Sequence, residues 1–371
     1  MKDEKVATPH SLSERLMSLD AFRGLVILGM LLVNNIALDT FTPRHLAHAP
    51  WNQGVTFADM VFPWFLLIVG VAIPYSAASA KRRGLSLFKY DLKALGRAVN
   101  LLLLGCLLDS SIARSPGFSL GILQLIGISY FVAAILFELH VGWRLVLAAG
   151  LLLAYWGAIR FLAIPGVGSG LFTEEQNFIK HINQVYLEPF HLKGLLSLIP
   201  TSALVLLGTV VGEVLRNGAL IPWKKAAALL AGGGLLSGIA WLWSLDLPFN
   251  KTVFTPSYIL LAAGLGTIVI ALFYLLIDVT GWRLWAFPLV VPGTNAILAY
   301  VLPILVKVYI LQLWTWKKPD GSLVSLQQAF MDFCFQRWGR VEGGWLYTLF
   351  YIGVWWLVFL VFYRKKIFLR V

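Results

Sequence analysis

An all-α, polytopic membrane bundle of about ten transmembrane helices is the fold class that the sequence predicts, on three observations. Hydrophobic residues fill 59% of the 371 positions and charged residues only 13%, against about 45–50% and 25% in a soluble domain. Ten apolar stretches are each long enough to cross a ~30 Å hydrocarbon core at roughly 20 residues apiece. Runs such as LLLLGCLL and AAALLAGGGLLSGIA are apolar all round, as helices in lipid are, and lack the two-residue alternation of a barrel strand. The same numbers exclude a disordered chain, a coiled coil, collagen and a secreted disulfide scaffold. One transmembrane domain over 1–371 accounts for the whole length.

Taken in order, the stretches lie near residues 17–38, 57–79, 95–112, 119–139, 143–164, 194–215, 223–244, 256–278, 286–312 and 344–363. The first follows a short tail, residues 1–16. It holds Arg23 and has no small-residue cleavage site, so it reads as a retained span rather than a signal peptide. The second opens on Asp59. The ninth is interrupted by Pro288, Pro292 and Pro303, which predicts a broken or re-entrant helix. Most connections are short; residues 39–56, 165–193 and 313–343 form longer external loops. The last of these, with Trp314, Trp316, Phe330, Phe333, Phe335 and Trp338, reads as an amphipathic segment at the headgroup level.

Orientation follows from Lys and Arg in the connections. With both termini in the cytoplasm, 18 of these residues fall inside and 8 outside. The net charge of +12 is then a topology signal, and no nucleic-acid partner is expected. Cys106 and Cys334 are not expected to pair. No Cys/His cluster has ligand spacing, so no metal is expected.

A charge at the centre of a span costs on the order of 2.5–3.5 kcal/mol on insertion scales. Asp20 and Arg23 share a helical face at i, i+3 spacing, which suits either a structural salt bridge or a functional site. Asp109, Glu138, Arg160, Glu213 and Asp278 fall near span ends, where interfacial solvation is expected. The densest polar cluster lies at 34–59. Asn34 ends the first span, and the loop then carries His45, His48, Trp51, Asn52 and Thr56 before Asp59. A histidine bracketed by an amide, an aromatic ring and a helix-opening carboxylate is a general-base candidate. That makes His48, Asn34 and Asp59 the catalytic candidates, with Trp51 and Asn52 beside them for substrate.

Two more segments set polar groups into apolar sequence. Asn295 follows Pro292-Gly293, where a restarting helix offers free N–H groups to an anion or acyl carbonyl, or where a proline kink satisfies itself. Gln124, in ILQLIGISYF, suits an interhelical hydrogen bond or a ligand contact. The terminal Arg364, Lys365 and Lys366 suit phosphates.

The segments SLDAFRGL, HAPWNQGVTFADMVFPWF, ILQLIGISYF, NKTVFTPSYIL, VVPGTNAILAY and YRKKIF occur in that order. Together they resemble the heparan-α-glucosaminide N-acetyltransferase family of transmembrane acyltransferases, over about residues 15–370. The resemblance implies a bundle in a bacterial inner membrane that takes acetyl-CoA from the cytoplasm. It implies acetylation of an amino sugar or a sugar hydroxyl on the far side, and a homodimer. By motif position it makes His48 the catalytic histidine, Asn34 the amide ending the first span, Arg23 the arginine of FRG and Asn295 the amide after the PG turn. The expected cofactor contacts are therefore Arg23, Gln124, Asn295, Arg364, Lys365 and Lys366. Two departures stand out. Leu125 occupies a place where the family often has arginine, and the large lumenal insertions of the animal enzyme are lacking, which favours a bacterial envelope sugar as acceptor. A sugar transporter or flippase is the alternative, suited to the broken ninth span, although no internal repeat supports it.

Overall fold

The computed structural model describes residues 16–369; Lys2, Lys5, Arg15 and Arg370 of the inside set lie outside them. All ten apolar stretches are helical. The first five helices are α1 (Met17–Asn35), α2 (Phe57–Arg82), α3 (Leu87–Ala113), α4 (Ile122–Leu136) and α5 (Val141–Phe161). After the short α6 (Phe178–Ile182) come α7 (Leu198–Arg216), α8 (Pro222–Ser244), α9 (Pro256–Phe273), α10 (Phe287–Gly293) and α11 (Ala296–Val306). The chain ends with α12 (Leu326–Trp338) and α13 (Arg340–Arg364). Among the described residues, eight helices are long and apolar enough to span a bilayer. The proline-rich pair Leu284–Gly293 and Ala296–Leu311, bent by 64°, makes a ninth if its two halves form one broken span rather than a re-entrant loop. With 15 residues, α4 rises about 22 Å at ~1.5 Å per residue, short of a full crossing. This is a multi-pass membrane protein.

The centre is built on α2 and α7, while α3, α5, α8 and α13 turn residues such as Phe88, Leu103, Leu235 and Leu357 outward. Small residues set the closest contacts. A Cβ on Gly208 would overlap the Leu67 carbonyl and one on Gly70 the Val205 carbonyl, so α2 and α7 touch backbone to backbone, as membrane helices do when side chains permit. In the same way Gly24 and Gly293 bring α1 against α10. That crossing puts Arg23 Nη1 3.3 Å from the Gly293 carbonyl.

Four of the five charges expected to be solvated at span ends also have protein partners. Asp278 accepts from the backbone N–H groups of Met17 and Ser18, at 3.3 and 3.2 Å, and so caps α1. Asp109 accepts from Ser119 and Gln124 at 2.6 and 2.8 Å. Glu213 meets the buried Arg144 at 2.6 Å, and Arg160 pairs with Asp246. Each partner comes from a different segment, which sequence spacing does not reveal.

At the end of the bundle that carries the α1–α2 loop, two caps cover the helices. Residues 163–193 form a hairpin of two-residue strands, Ala163–Ile164 with Gly168–Ser169, and α6, resting on Tyr155, Leu247 and Val253. Residues 313–343 form a hairpin, β1 (Thr315–Lys317) with β2 (Leu323–Ser325), and α12. Phe330 of α12 packs on Tyr347 of α13 while Phe333 and Trp338 stay exposed.

Candidate active site

Asp59 opens the site. It is the third residue of α2, and its side chain is 1% exposed. Its Oδ2 accepts from the N–H groups of Ala49 (3.1 Å) and Thr56 (3.0 Å), while Thr56 Oγ1 donates to the Ala47 carbonyl at 2.7 Å. One carboxylate thereby ties the loop before α2 to its first turn. Its Oδ1 lies 2.9 Å from His48 Nδ1. An ionised carboxylate only accepts, so the shared proton is on the ring and Nε2 is left as the acceptor. The His48 side chain is 53% exposed, so the ring stands at the mouth of the site with its orienting charge buried behind it.

The third member is Lys251, from the α8–α9 connection. Its Nζ lies 2.9 Å from Nδ1 and 3.2 Å from Nε2 of His48, and 3.7 Å from Asp59 Oδ1. Burial pushes the Lys251 ammonium below the ordinary lysine value, and the Asp59 charge offsets only part of that. The Lys251 loop is anchored to the His48 loop by Asn250 Nδ2, which donates to Asn52 Oδ1 at 3.1 Å. Asn52 and Gly54 have φ of 55° and 88°, the left-handed geometry that turns HAPWNQG back on the bundle. Trp51 packs on Phe172 of the cap, with ring centroids 5.2 Å apart. His48, Trp51, Asp59, Lys251 and Phe254 line a pocket of about 320 Å³.

A second cavity, of about 860 Å³, opens at the other end of α1 and α2. Arg23, Arg83, Lys93 and Arg97 line it, with no acidic residue among the lining side chains. Arg23 is also paired with Asp20 at 2.9 Å, so the i, i+3 salt bridge and the place at the cavity coexist. Arg97 donates to Tyr130 Oη at 3.3 Å and lies over that ring. Phe65, Ile68 and Val69 of α2 form an apolar wall.

The remaining candidates are dispersed. Asn295 lines the second cavity, but its amide is taken by the C-terminal tail: Nδ2 donates to the Ile367 carbonyl (3.0 Å) and Oδ1 accepts from Leu369 N–H (3.1 Å). Gln124 is fully buried against Gly105 and Asp109, while its neighbours Leu123 and Ile126 face the cavity. Leu125 is buried in the apolar core. Arg364, Lys365 and Lys366 are exposed and do not line the cavity, whereas Leu369 beyond them does. Asn34 lies in neither place; it lines a narrow seam between α1 and α11. Sequence reasoning missed Lys251, Arg83, Lys93 and Arg97 as site residues. Lys251 sat within NKTVFTPSYIL, the segment quoted for the resemblance. The other three were counted only as orientation charges.

The sequence profile described as heparan-alpha-glucosaminide N-acetyltransferase, catalytic, matches residues 15–244. The chain belongs to this family. Among curated proteins it is 25% identical to the heparan-alpha-glucosaminide N-acetyltransferase of Mus musculus over 442 residues, covering 100% of this chain and 62% of that protein. It is 26% identical to the Homo sapiens protein of the same name over 437 residues, covering 97% of this chain and 60% of that protein. The chain therefore spans about three-fifths of the length of these relatives. The match begins just before α1 and runs through α8, so it takes in His48, Asp59 and most of the basic cavity. Lys251 and Asn295 fall beyond it.

Proposed function

We propose that this member of the family is a membrane acetyltransferase. It carries acetyl from cytoplasmic acetyl-CoA to an amino sugar or sugar hydroxyl on the periplasmic side of a bacterial inner membrane, as a homodimer. The observation that carries the reading is the 2.9 Å contact of His48 Nδ1 with the buried Asp59, at the mouth of a pocket with aromatic walls. A thioester is already activated, so transfer needs a base, a donor for the oxyanion and exclusion of water. With Nδ1–H on Asp59, His48 Nε2 takes the proton from the acceptor's N–H or O–H. The freed electron pair bonds to the thioester carbonyl carbon, the C–S bond breaks, and the CoA sulfur takes the proton from Nε2. The Lys251 ammonium, 3.2 Å from Nε2, donates to that nitrogen at rest and is released, once Nε2 has taken the proton, to meet negative charge growing on the carbonyl oxygen. Trp51 and Phe254 offer faces for a sugar ring. At the other end, Arg23, Arg83, Lys93 and Arg97 supply the fixed cations that CoA phosphates require.

The test is acetyl transfer by the purified chain in detergent, from labelled acetyl-CoA to a panel of amino sugars and wall fragments. His48→Ala should lose about 10²- to 10⁴-fold in rate, the usual worth of a general base. His45→Ala, an exposed histidine in the same loop, should not. A correctly folded His48→Ala enzyme with the wild-type rate would overturn the reading. The 64° break after Gly293 favours a second reading, a sugar transporter or flippase, which predicts sugar movement with neither binding nor hydrolysis of acetyl-CoA.

A further inference from the structure

Of the five charges that the sequence puts near span ends, Glu138 is the one left over. Among the described residues its carboxylate forms no ion pair and no hydrogen bond. It directly follows Phe137, the C-cap of α4, and so faces the negative end of that helix's dipole, where a cation is favoured and a carboxylate is not. Nothing in its own helix stabilises a negative charge at that place.

Glu138 lines a cavity of about 540 Å³, a size usual for small-molecule sites (~300–1,000 Å³). Buried Ala78 and Ala80 of α2 and half-buried Phe137 form its inner wall, and the exposed Lys81 and Arg216 join Glu138 at its outer edge. Lys81 stands in the last turn of α2 and Arg216 ends α7, so the ends of α2, α4 and α7 each bring one charge to it. The two cations form no ion pair among the described residues either. Glu213, one turn before Arg216, is committed to Arg144 at 2.6 Å. Leu87 also lines the cavity; it and Phe88 are 58% and 76% exposed, so apolar surface continues from the cavity onto the lipid-facing side of α3.

Two cations at helix C-termini are ordinary by themselves; a carboxylate sharing their cavity is not. A simple anion would satisfy Lys81 and Arg216 and be repelled by Glu138. A phosphate joined by two carbons to an ammonium answers all three charges. We infer that this cavity seats the headgroup of a membrane lipid of the phosphatidylethanolamine type. The phosphate meets Lys81 and Arg216, the ammonium meets Glu138, and an acyl chain leaves along Leu87, as befits a headgroup held in a basic pocket between membrane helices. The lipid also walls the basic cavity, since Ala80, Leu85 and Tyr90 line both. The inference rests on the membrane-spanning fold and not on acetyl transfer.

The experiment offers the full chain in detergent an equimolar mixture of three dioleoyl lipids and reads the bound lipid by native mass spectrometry. These are phosphatidylethanolamine, phosphatidylcholine (its ammonium methylated, with no N–H) and phosphatidylglycerol (no ammonium). The wild type should hold phosphatidylethanolamine over phosphatidylglycerol by about fivefold, the upper worth of an ion pair at an exposed site. Its margin over phosphatidylcholine should be smaller, because the methylated ammonium keeps its charge. Glu138→Gln should erase the preference over phosphatidylglycerol, and Glu138→Lys should reverse it. Lys81→Met combined with Arg216→Met should lower retention of all three lipids. All three side chains are exposed, so these variants should fold. A wild type with no preference for phosphatidylethanolamine would overturn the inference, as would a preference that survives Glu138→Gln or retention unchanged in the double variant. Displacement of the bound lipid by adenosine 3′,5′-bisphosphate would overturn it too, by making this cavity part of the basic one.

Discussion

Asp59→Asn is the change that most directly separates chemistry from architecture at the His48 site. The carboxylate has two tasks, one on each oxygen. Its Oδ1 orients His48 at 2.9 Å, and its Oδ2 accepts from Ala49 and Thr56 N–H. A hydrogen bond to a charged group is worth about 1.5–3 kcal/mol, which translates into about 10- to 160-fold in rate when the bond orients the base. An asparagine keeps one acceptor oxygen, so either both backbone donors lose their partner or the amide turns its NH2 towards His48 Nδ1 and forces the ring into its other tautomer. In the first orientation each lost partner costs about 1–3 kcal/mol of stability. The assay is acetyl transfer, with thermal unfolding as the companion measurement, for Asp59→Asn alone and in a His48→Ala background. If Asp59 acts through His48, the rate penalty shrinks to about twofold or less once the imidazole is gone, the usual limit of additivity. The unfolding penalty should be the same in both backgrounds. An equal rate penalty with and without His48 would refute the orienting role and leave Asp59 as a loop brace.

Three further outcomes are expected. Because burial lowers the Lys251 ammonium from the ordinary lysine value of 10.5, it gives up its proton at a lower pH than an exposed lysine. Activity that needs its charge should therefore fall on the alkaline side; Lys251→Arg, permanently charged, should push that fall upward, and an unmoved pH profile would count against the oxyanion role. Neutralising Arg83, Lys93 and Arg97 together should raise the Kd for acetyl-CoA by at least about tenfold, more than neutralising Arg364, Lys365 and Lys366, as titration calorimetry would register. Gly24→Ala drives a methyl group into the Leu289 carbonyl and should destabilise the protein by about 1–3 kcal/mol, the usual penalty of overpacking, seen as a lower melting temperature in detergent.

The sequence by itself determined the placement of the apolar helices, the break near Pro292 and the nearness of His48 to Asp59. All of these are local. Hydrocarbon thickness sets the span length, proline removes the hydrogen bonds that would keep the ninth span straight, and His48 and Asp59 are only eleven residues apart on one short loop. Residues that meet across helices were decided by the tertiary structure. Lys251 reaches His48 from 203 residues away, because Asn250 and Asn52 tie two loops that sequence spacing does not connect. Arg83, Lys93 and Arg97 read as orientation charges until the packing of α2, α3 and α4 closed a cavity around them. Asn34 shares the cluster of His48 in sequence, but at the end of α1 it lines the seam with α11 and offers its carbonyl to Lys307, away from the His48 pocket. Asn295 looks like a ligand amide until the C-terminal tail arrives to take both of its hydrogen bonds. A chain's order fixes which groups are near along the backbone; only close packing of helices, permitted here by glycines at their crossings, fixes which groups meet in space.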